Sequence, residues 1–281
     1  MDISSRTVFM IGGTSGIGLE LSRRFLKAGS AVVVGGRRGD VLTRLAGEGF
    51  ATAEIDVTDA GSVARARDEV LGARPDLDTV VTMAGTGMPE ELRDPAHFAQ
   101  TETIMDVNFL GTVRVIDAFT PHLVARGAGT IVTVSSGIGF LPFPLMPTYA
   151  ASKAAVHAYS EALRAQLAGT GVEVAELVPP AVATGMGGAN PRALALDDFA
   201  TEVMDLLAQD PTPDEILVRG VLMHRWAERD GTYDELVAQR SQALATLPGR
   251  ARTQPHAQEQ VHVHAQGRTQ AQGRTQVPGR R

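Results

Sequence analysis

Cysteine is absent from the 281 residues, which removes disulfides and thiolate chemistry from consideration. Long apolar runs are absent as well. No stretch approaches the roughly 18 residues needed to span a bilayer, and Met1-Asp2-Ile3 enters a strand-like run without the basic start and apolar core of a signal peptide. A basic surplus is missing too: the net charge of −6 argues against nucleic acid or an anionic membrane as the main partner. These absences leave a chain expected to be cytoplasmic, with no nucleic-acid and no membrane partner. Lysine is almost missing, with two residues, Lys27 and Lys153, against 24 arginines.

What is there is an alternation of short apolar runs and longer amphipathic segments. Thr7–Ile11, Ala31–Val34, Ala51–Ile55, Thr79–Met83, Thr130–Val134 and Val172–Val178 are short and β-branched, which favours strands. Gly18–Ala28, Asp59–Leu71, Thr103–Arg126, Tyr149–Leu167, Asp197–Leu207 and Tyr233–Leu244 read as helices, and Glu215–Val218 as a last strand. Apolar strands separated by helices imply a parallel sheet covered on both faces. The expected fold is a single α/β domain, doubly wound and Rossmann-like, with three layers in α/β/α order. It spans residues 1–248. Residues 249–281 are rich in Arg, Gln, Gly and His and poor in large apolar side chains, so they read as a disordered low-complexity tail. His256, His262 and His264 fall in that tail, and solvated residues are the expectation there rather than a metal site.

Ile11-Gly12-Gly13-Thr14-Ser15-Gly16-Ile17-Gly18 follows the first strand and opens the first helix. Glycine lets the backbone approach a phosphate closely, and free N–H groups at a helix start hold an anion. The spacing differs from the common G-x-G-x-x-G fingerprint, but its place in the α/β pattern favours a dinucleotide site over a structural turn. The second strand ends in Val34-Gly35-Gly36-Arg37-Arg38. No carboxylate stands there to receive a ribose 2′-hydroxyl, and two guanidiniums can pair with a 2′-phosphate. NADP(H) is therefore expected rather than NAD(H).

Tyr149 and Lys153 stand i, i+4 on one helix, so both project from one face. A phenol is a poor acid–base at neutral pH, and a nearby ammonium is expected to lower its pKa toward the working range. In a chain that prefers arginine so strongly, a lysine at this position is informative. Ser136 lies thirteen residues upstream at the carboxyl end of the fifth expected strand, where ligands of open α/β sheets sit.

On these residues the chain resembles the short-chain dehydrogenase/reductase family in its compact, single-domain branch, closely from about Thr7 to Thr184 and more loosely to about Leu244. The resemblance implies an oxidoreductase that interconverts a carbonyl and an alcohol on a small molecule. It makes Tyr149 the general acid/base, Lys153 the residue that holds the nicotinamide ribose, Ser136 the group that orients the carbonyl, and Asn108 the holder of a relay water. It places Asp56 and Val57 at the adenine, Ala84 and Gly85 along the cofactor, and Val182 and Thr184 at the carboxamide. The chain departs from the family pattern at Ile11, at Thr82-Met83-Ala84-Gly85 and at Pro179-Pro180. The second departure puts the local stability of the central sheet in question.

Gly137–Pro147 is almost wholly apolar. Phe140, Phe143, Leu145 and Met146 are expected either to wall a lipophilic pocket or to pack against the sheet or another subunit. Gly185–Asp197, with Gly187-Gly188, has the composition of a mobile lid. The small side chains of the Tyr149 helix favour a homodimer or homotetramer. The alternative function is a nucleotide-binding regulatory protein without turnover, and the complete Asn108–Ser136–Tyr149–Lys153 set argues against it.

Overall fold

The structure is a computed structural model that describes residues 1–185 and 190–247. The expected tail with its three histidines, and Gly187-Gly188 of the expected lid, lie outside the described residues. Seven strands form one sheet: β1 (Thr7–Ile11), β2 (Ala31–Gly36), β3 (Ala51–Glu54), β4 (Thr79–Thr82), β5 (Gly129–Val134), β6 (Val172–Leu177) and β7 (Glu215–Ile216). Their order is β3-β2-β1-β4-β5-β6-β7, and each neighbouring pair is parallel. The order reverses between β1 and β4. A doubly wound sheet has its ligand crevice at such a point.

The helices are α1 (Gly16–Ala28), α2 (Gly39–Gly47), α3 (Ala60–Ala73), α4 (Phe98–Met105), α5 (Gly111–Arg126), α6 (Pro147–Leu167), α7 (Leu196–Leu207), the single turn α8 (Leu222–Arg225) and α9 (Tyr233–Ser241). The period-2 pleat sorts the strand side chains between two cores. Val8 and Met10 face Leu21 and Phe25 of α1, Leu45 of α2 and Phe199 and Val203 of α7. Phe9 and Ile11 face Val63 and Val70 of α3, Ile116 and Phe119 of α5 and Leu163 of α6. Both faces of the sheet are therefore covered, which is why β1 and β5 are buried along their whole length. Among the described residues no helix is long and apolar enough to cross a membrane.

The single turn α8 was not expected, β7 is shorter than the expected Glu215–Val218, and two further elements differ from the sequence reading. Helix α2 was not expected. Its nine residues bury Val41, Leu42 and Leu45, too few for a periodic signal to stand out between two glycines. The long helix expected over Thr103–Arg126 starts earlier, at Phe98, and is divided by a π-helical turn, Asp106–Leu110. The Thr82-Met83 departure is accommodated without loss of pairing. Thr82 is buried in β4, which is bonded on both sides, and the Met83 N–H continues the ladder to the Ile11 carbonyl at 2.8 Å.

Candidate active site

The glycine loop sits at the reversal of strand order. Gly12 has φ +91°, and a methyl group added there would lie 2.5 Å from the Ala84 nitrogen, so the loops after β1 and β4 touch through bare backbone. A methyl at Gly18 would lie 2.5 Å from the Gly12 carbonyl oxygen. Ser15 precedes α1 without a side-chain cap, and the first turn holds no acidic residue. Among the described residues no side chain caps the N–H groups there and no acid opposes the helix dipole, as an anion cradle requires. Thr184 faces this loop, with Cβ 3.6 Å from a methyl placed on Gly16. Val182 is buried and bridges to Leu194.

The arginine pair lies beside the cradle. The Arg38 guanidinium donates to the Thr14 hydroxyl at 3.0 Å. Arg37 is exposed, and its guanidinium stands 3.9 Å from Asp56. Burial works against the charge on Asp56, but the backbone and hydroxyl of Thr58, with Arg37, hold its carboxyl below the usual range. Val57 is buried, and its carbonyl accepts from Arg114 at 3.1 Å. Of the two arginines that the sequence offers a 2′-phosphate, Arg38 touches the glycine loop directly.

Four side chains expected to carry chemistry converge next to the cradle. Tyr149 and Lys153 project from the first two turns of α6, with the Lys153 Nζ 5.7 Å from the centre of the Tyr149 ring. Lys153 is buried, and its ammonium donates to the Val134 carbonyl at the end of β5 at 2.8 Å. Asn108 is buried in the π-helical turn. Its amide accepts from the Thr86 N–H and donates to the Thr86 carbonyl, both at 2.8 Å, and donates to Ser152 at 3.0 Å. The Ser152 hydroxyl passes the link on to the Tyr149 carbonyl at 2.8 Å. The strand β4 loop is thus fastened to α6 through Asn108. Ser136, just beyond β5, donates to the Pro179 carbonyl at 3.3 Å, and its hydroxyl is close enough to act on the phenol. Gly85 lies between Asn108 and Lys153, and a methyl at Gly87 would meet the Tyr149 ring at 2.7 Å.

The electrostatics correct one expectation. Burial pushes the Tyr149 phenol up to about 12, and the Ser136 hydroxyl is what opposes it. The net direction is the reverse of the expected lowering, because burial of the phenol outweighs the groups that favour the phenolate. Burial likewise brings Lys153 down to about 8, with Glu176 pulling the other way.

Glu90 escaped the sequence reading. It is 2% exposed, and its carboxylate accepts from the Thr148 N–H at 2.8 Å and the Thr148 hydroxyl at 2.6 Å. An anion is therefore held against the first turn of the helix that carries Tyr149. The apolar segment after Ser136 divides. Phe140 turns away from the phenol and packs edge-on against His157 at 4.5 Å, and Leu141 is fully buried. The Met146 methyl lies 3.0 Å from a methyl placed on Gly87, beside the Tyr149 ring. Of the expected pocket wall, Met146 is near the phenol, and Phe140 is half-buried against His157 and Arg225.

Comparison with known proteins agrees with this geometry. The family model described as short chain dehydrogenase matches residues 6–194. The uncharacterized oxidoreductase DltE of Bacillus subtilis is 32% identical over 220 residues, covering 74% of this chain and 87% of that protein. Sulfoacetaldehyde reductase 2 of Chromohalobacter salexigens is 37% identical over 181 residues, 62% of this chain and 72% of the relative. A short chain dehydrogenase from Burkholderia cenocepacia, solved in complex with NADP, superposes with a TM-score of 0.75 at 25% identity, covering 84% of this chain and 99% of that one. Solved proteins that share the fold include complexes with NADP and with NAD.

Proposed function

The chain belongs to the short-chain dehydrogenase family, and from that premise we propose that it is an NADP(H)-dependent oxidoreductase interconverting a ketone or aldehyde with an alcohol. The observation that carries this reading is the meeting of Ser136, Tyr149 and Lys153 beside the glycine cradle at the strand-order reversal. The cradle fits a dinucleotide: Gly12 and Gly18 let the loop fold tightly against Ala84 and against itself, and a pyrophosphate would meet the uncapped start of α1 at Gly16. Arg37 and Arg38 would face a 2′-phosphate, Asp56 and Val57 the adenine, Ala84 and Gly85 the midsection, and Val182 and Thr184 the carboxamide. When bound, the nicotinamide supplies or accepts the hydride.

The chain's own residues handle the proton. With its pKa near 12 the Tyr149 phenol is protonated at neutral pH, so it is set to donate from Oη to a carbonyl oxygen as that oxygen gains negative charge. Ser136 donates to the same oxygen and fixes its direction. Lys153 places a positive charge under the phenol that stabilises the phenolate left behind. Asn108 holds the β4 loop to α6, so that these groups keep their separations. Met146 near the phenol favours a neutral, partly apolar substrate.

NADPH absorbance followed with a panel of ketones and aldehydes tests the proposal. Tyr149→Phe is expected to lower turnover about 10²- to 10⁴-fold. Tight NADPH binding with no turnover on any carbonyl would mean a nucleotide-binding protein instead. For the cofactor, Arg37→Asp combined with Arg38→Asp is expected to move preference from NADPH toward NADH; unchanged preference would refute the assignment of the second strand.

A further inference from the structure

Strand β6 carries a carboxylate where its pattern asks for an apolar side chain. Val172, Val174 and Glu176 share the face turned toward α6. Glu176 is fully buried, whereas Glu173 on the other face is exposed. A buried carboxylate is costly unless it is paired. One oxygen of Glu176 is bonded to His157 Nδ1 at 2.8 Å, and the other, Oε1, is buried without a hydrogen-bond partner among the described residues. His157 is one helical turn beyond Lys153, so Tyr149, Lys153, His157 and Glu161 form an i, i+4 ladder along α6. Across the β5–β6 ladder Glu176 is opposite Thr133, whose neighbour Val134 accepts from the Lys153 ammonium. The carboxylate therefore lies beneath His157 and beside the strand position that holds Lys153.

The surrounding charges are accounted for. Glu215 of β7 stands 4.0 Å from His157, and both its oxygens are taken by Arg225 of α8 at 2.8 and 2.9 Å. Glu161 is exposed and 3.7 Å from His157. Phe140 seals the outside, stacked against His157 and, at 4.6 Å, against Arg225. Arg225 closes Glu215 to a metal ion, which leaves Glu176 Oε1 as an uncommitted negative atom within the buried part of the cluster. His157 is held above the ordinary histidine range, first by its hydrogen bond to Glu176 and against burial, with the charges of Glu176, Glu161 and Glu215 adding. Burial lowers Lys153, and Glu176 is the charge that resists this.

We propose that Glu176, held by His157, is a positioning residue of the active site: the buried counter-charge that keeps the Lys153 ammonium charged beneath Tyr149. Charges in a poorly solvated interior act over several ångströms without direct contact. The inference rests on Lys153 belonging to the active site, but its test does not need turnover.

The chain has two lysines, so NMR of protein labelled with ¹³C at lysine Cε gives two resonances, and Lys27→Arg identifies that of Lys153. In Glu176→Gln the Lys153 midpoint is expected to fall by about one unit, a roughly tenfold loss of proton affinity. Glu176→Asp, which keeps the charge, stays nearer the wild type, and Glu161→Gln leaves the midpoint in place. Should Glu176→Gln not fold, His157→Gln removes the cation that competes for Glu176 while keeping a donor to it, and the Lys153 midpoint is expected to rise. An unshifted Lys153 midpoint in either folded variant overturns the proposal. Where carbonyl turnover is found, its alkaline limb moves to lower pH in parallel with the resonance. Absence of turnover in the wild type would instead count against the oxidoreductase reading and leave the lysine titration intact as a test of the pair.

Discussion

Glu90 and Ser136 show how differently single residues of the site announce themselves. Ser136, Tyr149 and Lys153 were legible because their relations are local: one helical turn, or one strand end and the helix after it. Glu90 reaches Thr148 across 58 positions. In the run Met88-Pro89-Glu90-Glu91 it looks like any solvated loop acid, and nothing in the spacing marks it. Glu90→Ala would leave the Thr148 N–H without its acceptor and its hydroxyl with Thr101 alone. The expected cost is about 1–3 kcal/mol in denaturant unfolding, with kcat falling more than KM because Tyr149 is displaced rather than removed. A Glu90→Gln variant, which retains one acceptor oxygen, is expected to recover part of both. Gly18 offers a sharper contrast. A methyl 2.5 Å from the Gly12 carbonyl cannot be absorbed by a flexible side chain, so Gly18→Ala is expected to weaken NADPH binding tenfold or more in fluorescence titration while leaving Tyr149 in place.

Among the elements, the buried strands were the most legible. β1 begins and ends where its apolar run does, because a strand covered on both faces needs side chains of one kind along its whole length. The π-helical turn was not legible. Sequence period alone gives one long helix through Asp106–Leu110, whereas Asn108 is pulled toward Thr86, a tertiary demand with no local signature. β6 hid its most consequential residue in the same way, since Glu176 in Val172–Leu177 resembles an edge charge until α6 is laid over it. That packing has a pH signature. A histidine whose folded pKa lies above its unfolded one contributes stability that is fully present below about pH 6.5 and is lost as pH rises through the folded value. Wild-type unfolding free energy is therefore expected to decline over that interval relative to His157→Gln. Equal slopes for the two proteins would contradict the assigned ion pair.

At the scale of the whole molecule, the parallel sheet and the layer arrangement followed from the alternation of strand and helix runs, whereas the strand order came from the structure. Assembly and the fate of the chain's end did not. We infer that residues 249–281 are dispensable: their removal is expected to leave melting temperature and turnover unchanged, and a drop in either would show that this segment takes part in the fold. Alanines 151 and 158 on α6 are exposed, consistent with close approach of a second copy, and sedimentation would report the dimer or tetramer expected from them.

The reversal of strand order has one more consequence. Residues before and after the β1–β4 boundary form two winding units whose strands pair along one run of backbone, from Val8↔Thr79 to Ile11↔Thr82. A dinucleotide lying across that boundary would rivet one unit to the other. Amide hydrogens along this run should then exchange with solvent more slowly once nucleotide is added, by up to a hundredfold at one hundred times the dissociation constant, while those of the outlying β3 and β7 margins gain less.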